Sequence, residues 1–117
     1  MPLILAAAAI ALGILIYFFA NLREERAVQS CFESLQKRDL NEAYQIWGPT
    51  EQYTFNDFLK DWGEDGYYGQ VHYFQIVESE SKGNGVIVRV QINNLARPIA
   101  FWVERKNRRI GFAPTEL

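Results

Sequence analysis

Cys31 and His72 are the chain's single cysteine and single histidine. A nucleophile–base dyad would need the fold to bring them together. Cys31, however, lies on an apolar stripe, where a thiol behaves as a small hydrophobe. One cysteine excludes an internal disulfide framework and any cysteine-based zinc or iron–sulfur cage, and one histidine excludes a two-histidine metal site. Asp57, Asp61 and Asp65 recur at i, i+4 and i+8, a spacing at which like charges repel on a helix unless solvent or a basic partner offsets them. Asp61 to Gly66 places acids at positions 1 and 5 and glycine at position 6 of a calcium-loop pattern. Position 3 is Gly63 and position 12 is His72, so a solvated helix end is expected there instead.

The other candidates are surfaces. Arg105, Lys106, Arg108 and Arg109 crowd one turn, as a basic hairpin tip suited to an acidic partner or to anionic lipid headgroups. Tyr67, Tyr68 and Trp102 fall off the apolar stripes and form a candidate protein–protein hot spot. A net charge of −2 over 117 residues argues against nucleic acid as the partner. The sign is split along the chain: residues 39–80 carry nine acids against one base, and residues 81–117 carry seven bases against two acids. No phosphate-binding glycine loop, haem-attachment motif or metal-ligand spacing is present, so the expectation is a non-enzymatic protein without catalytic residues, metal or cofactor.

These groups sit in a chain of two solvents. Residues 3–22 hold no charge, and every formally charged side chain lies from Arg23 onward. As a helix, Leu3–Leu22 would rise about 30 Å, near the thickness of a bilayer's hydrocarbon core. Leu3, Ile10, Leu12, Ile14, Leu15 and Ile16 supply the apolar body, Tyr17, Phe18 and Phe19 an aromatic belt, and Arg23 the charge beyond it. A cleaved secretory signal fits less well, because the start carries no positive region and Phe18 occupies the −3 place before Ala20. The reading is a transmembrane anchor over residues 1–22. Arg23, Arg26, Lys37 and Arg38 favour the cytoplasmic side for the domain that the anchor carries.

Residues 23–117 read as a small α+β domain. Val28, Cys31, Phe32 and Leu35 form one amphipathic stripe, and the absence of Gly and Pro between Gly13 and Gly48 predicts a single helix, bent or straight, over about 3–38. Asp39 with Glu42 predicts a capping box for a helix ending at Gly48-Pro49, and Thr54 with Asp57 predicts another, stapled by Tyr53 and Phe58. From Gln70 the period becomes two. Strands are expected at 71–80, 86–92, 99–105 and 110–113, linked by Lys82-Gly83-Asn84-Gly85 and two later turns. The architecture expected is an N-terminal transmembrane helix, then three helices packed on a four-stranded antiparallel meander.

The segment Phe32-Glu33-Ser34-Leu35-Gln36-Lys37-Arg38-Asp39-Leu40-Asn41-Glu42-Ala43-Tyr44 resembles the opening "F-x-x-L-x-x-x-D-x-x-x-A-Y" of cystatin-like domains of the nuclear-transport-factor-two-like superfamily. The likeness continues through Phe58, Trp62-Gly63, Trp102 to Arg105 and Ile110 to Pro114, and is to small membrane-anchored bacterial members. It implies helices across a curved sheet, with Ala43 and Tyr44 facing it. That superfamily hosts enzymes, carriers and assembly modules, so the fold does not select a function. About four strands, where larger members have around six, argue against a deep pocket. The expected role is an accessory or structural subunit of a larger bacterial membrane complex, respiratory or photosynthetic for example, touching the lipid bilayer and other subunits. The alternative is a membrane-tethered module holding a small apolar ligand between helices and sheet.

Overall fold

The computed structural model describes residues 2–114, the side chains of Tyr17 and Phe18 excepted. Four helices precede four strands: α1 (Pro2–Phe19), α2 (Leu22–Gln36), α3 (Leu40–Trp47), α4 (Phe55–Trp62), β1 (Phe74–Lys82), β2 (Gly85–Ile92), β3 (Ile99–Glu104) and β4 (Ile110–Phe112). The strands form one antiparallel sheet in the order β1-β2-β3-β4, the meander that the turn residues predict. The helices α2, α3 and α4 pack on one face of it.

Periodicity explains the core. Val28, Cys31, Phe32 and Leu35 of α2 are buried against Val86, Val88, Val90 and Ile92 of β2 and Phe101 and Val103 of β3. Phe32 stands at the centre, 5.3 Å from Phe101, 5.4 Å from Trp62 and 5.5 Å from Phe74 between ring centroids. Each such aromatic pair contributes about 1 kcal/mol beyond the area it buries. Rings thus fill the space between helices and sheet in which the alternative reading would seat a small apolar ligand.

The predicted single helix over 3–38 is two helices. Asn21 leaves helical geometry (φ −110°, ψ 14°) and turns its side-chain amide to the sheet, so the chain bends at Ala20-Asn21. The expected spanning segment Leu3–Leu22 is correspondingly cut to α1, and among the described residues no helix is long and apolar enough to cross a membrane. At its other end α2 stops at Arg38, whose left-handed backbone (φ 62°) lets Asp39 N donate back to Ser34 O at 2.9 Å.

That bond also corrects the Asp39 capping box. Asp39 Oδ1 accepts from Glu42 N at 3.2 Å, but the Asp39 N–H is already taken, so only half the box forms. At α4 both halves form: Asp57 N donates to Thr54 Oγ1 and Thr54 N to Asp57 Oδ2. The backbone and side-chain bonds from Thr54 hold the Asp57 carboxyl below the ordinary carboxylate range.

β1 begins at Phe74 because His72 N and Tyr73 N both donate to Asn93 Oδ1, at 2.8 and 3.0 Å, which holds residues 72–73 off the ladder. The strand also carries a register shift between Ile76 and Glu78. Phe74 and Ile76 lie opposite Ile92 and Val90, and after the shift Ser79 and Ser81 lie opposite Val88 and Val86. Strict alternation from Phe74 would have turned Glu78 and Glu80 into the core. The extra residue, Val77, turns two serines to that face instead, Ser79 half-buried and Ser81 exposed at its edge.

Candidate functional site: a polar collar where the apolar helix meets the head

Every described side chain of α1 from Pro2 to Ile16 is exposed, and so is Phe19. Leu3, Ile10, Leu12, Ile14, Leu15 and Ile16 are each more than half exposed. The helix has no acid in its first turn, no base in its last, and no polar face. A helix apolar all round needs an apolar surrounding, which the other described residues do not supply. Tyr17 and Phe18 of the expected anchor lie outside the described side chains.

The base of α1 is held by a built polar site. Arg105 Nη1 donates to Glu24 Oε1 at 3.1 Å, and Nη2 donates to Asn21 Oδ1 at 2.9 Å and Ser81 Oγ at 2.8 Å. Ser81 Oγ donates to Asn21 Oδ1 at 2.9 Å, Asn21 Nδ2 to Ser79 Oγ at 3.3 Å, and Ser79 Oγ to Glu25 Oε2 at 2.9 Å. Arg105 N donates to Asn84 O at 3.1 Å, which ties the β1–β2 hairpin into the same group. The joint is therefore gripped by three segments distant in sequence. Glu24 is 3% exposed, and Arg105 is the cation that meets its buried carboxylate.

This collar escapes a motif search, yet it left a signal. Glu24 stands four residues before Val28, on the same stripe as Cys31, Phe32 and Leu35. An acid on a core-facing stripe demands a cation from elsewhere.

Arg105 is thus tied to Glu24, Asn21 and Ser81, although its side chain keeps 38% exposure. The other three expected cations part company. Arg109 lays its stem over Gly48, where an added Cβ would come within 2.9 Å of Arg109 Cγ. Arg108 adopts φ 58° in the turn, its N–H donating to Glu104 O at 2.7 Å, and Lys106 is exposed.

The expected cluster of Tyr67, Tyr68 and Trp102 is divided between the two sheet faces. Tyr68 stacks on Trp62 (4.7 Å) and Phe112 (5.8 Å) on the helix side, with Tyr67 outermost and 81% exposed. Trp102 alternates with Phe101 and Val103 and so lies on the outer face, opposite Ile87 and Gly111. Its ring covers Gly85, where any Cβ would meet the indole at 2.3 Å. Beside it opens a groove of about 590 Å³ lined by Gly83, Asn84, Trp102, Glu104, Arg105 and Lys106.

The acid–base candidates are not assembled. The Cys31 thiol donates to Ala43 O at 3.5 Å and burial pushes it up to about 12, while His72 is exposed and engaged through its backbone. Asp57 caps α4, Asp61 accepts from the Tyr53 hydroxyl, and Asp65 lies beyond the helix end. Burial and then the bond to Asp61 drive the Tyr53 phenol above the ordinary tyrosine range, so it remains a donor. Among the described residues no His, Cys, Asp and Glu side chains gather into a group that could hold a metal ion.

Comparison with known protein families, with curated proteins and with solved structures finds no match to this chain.

Proposed function

We propose that this chain is a non-enzymatic, single-pass membrane subunit, with α1 seated in lipid beside partner helices and the head covering a surface of a larger complex. The observation that carries this reading is α1 itself: 18 residues, apolar on every side, exposed throughout its described side chains, and joined to the head by a specific polar collar. Its 18 residues rise about 27 Å, a little short of a bilayer's hydrocarbon core of about 30 Å, a difference that local thinning would take up. Ala6 to Ala9 and Gly13 offer small residues for close helix approach. Arg23, Arg26, Lys37 and Arg38 favour a cytoplasmic head.

The helices-on-meander arrangement supports the resemblance to a cystatin-like domain, and that fold serves here as a compact cap. A head whose interior is filled by Phe32, Phe58 and Phe101 favours the subunit reading over a ligand carrier.

Alkaline carbonate extraction of membranes should leave the full chain in the pellet, and release into the supernatant overturns the anchor. Native purification in mild detergent should return stoichiometric companions. A lone protein would move the reading to the tethered binding module.

A further inference from the structure

The collar fixes which end of the head lies beside α1. Arg105 Nη1 reaches Ala20 O at 3.5 Å, and Asn84 O accepts from Arg105 N, so the β1–β2 hairpin and the β3–β4 turn both stand at the foot of α1. That end carries Arg23, Lys82 and Lys106, all three exposed. Of its acids, Glu24 is buried against Arg105 and Glu25 accepts from Ser79, while Glu80 and Glu104 share the outer sheet face with Trp102, Glu104 in the same groove. The acidic residues Asp39, Glu42, Glu64 and Asp65 belong to the other end, around the C-terminus of α2, beside Lys37 and Arg38, where Leu35, Arg38, Leu40 and Glu64 line one pocket. The exposed Lys82 and Lys106 thus stand at the end from which α1 leaves the head. Trp102, half-buried on Gly85, adds an indole to the groove beside Lys106, and indoles settle where an apolar body meets a wet headgroup layer.

We infer that this end of the head docks on anionic lipid headgroups, with Arg23, Lys82 and Lys106 over the phosphates and Trp102 at the headgroup level. The inference rests on the membrane reading above and adds the lipid chemistry and the orientation of the head. The attraction of each cation to an anionic surface falls off within a Debye length and is screened by salt.

The test uses the full chain in nanodiscs of phosphatidylcholine alone and of phosphatidylcholine with phosphatidylglycerol. Acrylamide quenching of tryptophan reports Trp102, because Trp47 and Trp62 are each 2% exposed; Trp102→Phe identifies its share. Quenching of Trp102 should fall about twofold in the anionic discs, and Lys82→Glu with Lys106→Glu, or molar salt, should restore it. Equal quenching in both lipids, or no response to charge reversal, overturns the docking while leaving the anchor intact. Failure of the chain to enter either disc overturns the membrane reading itself.

Discussion

Two helices separated by Ala20 and Asn21 meet different fates. α1 exposes apolar side chains on all sides, whereas α2 exposes a charged face and buries Val28, Cys31, Phe32 and Leu35. Both are good helix formers, so propensity does not divide them. The arrangement of apolar residues does: a stripe finds its partner within the chain, and a full cylinder has to find it outside. The seam between them is a polar cluster of Asn21, Glu24, Ser79, Ser81 and Arg105 held by directional bonds.

The sharpest way to break this contrast is a pair of truncations. Phe32→Ala should lower head stability by about 3–5 kcal/mol, since it opens a cavity among Trp62, Phe74 and Phe101. Leu12→Ala should leave it within about 0.5 kcal/mol, since Leu12 is 59% exposed and touches no core. Denaturant titration of both variants checks this. A large loss at Leu12 would show that α1 packs on the head after all.

Removing the tie at the seam comes next. Arg105→Ala leaves Glu24 buried without its cation and should cost about 2–3 kcal/mol. Glu24→Gln in the same chain should recover part of that loss, because the unpaired charge goes. If Arg105→Ala is silent in thermal unfolding, the collar is not what holds the joint.

On the outer face, Gly85→Ala forces the indole of Trp102 aside and should cost about 2 kcal/mol. The double variant with Trp102→Ala should cost less than the sum of the single changes, a coupling readable from a double-mutant cycle.

The smallest effect lies in the bond between Tyr53 and Asp61. Tyr53→Phe should cost about 1 kcal/mol. The phenol is held above its ordinary range in the folded state, so its contribution is complete below about pH 10 and is lost as pH rises through the folded value. Phenolate absorbance measured against pH should show Tyr53 and Tyr68 titrating late, and Tyr53→Phe should remove one of the two.

Much of this was legible from residue order. The stripe from Val28 to Leu35, the Thr54–Asp57 box, the hairpin at residues 82–85 and the four-strand meander arise from local periodicity and turn chemistry, which act over a few residues. The candidate surfaces were less legible. Arg105 sits among three other cations, and nothing local separates the one that turns inward from those that do not. Trp102 and Tyr68 share a residue class but fall on opposite faces, since strand parity governs the first and a loop beyond α4 the second. The bulge at Val77 was hidden in Glu78-Ser79-Glu80-Ser81, where either pair could have faced the core until α2 packed there.

The sequence alone determined that twenty residues lack charge, that the rest runs as helix and then sheet, and that a core could form. These are properties of neighbours, and neighbours are written in order. Tertiary structure decided where the long helix breaks, that Glu24 is the acid inside, and that Arg105, Ser79, Ser81 and Asn21 close around it. Their positions are separated by as many as 84 residues, and only the packing of α2 on the sheet, driven by its apolar stripe, brings them within hydrogen-bond reach.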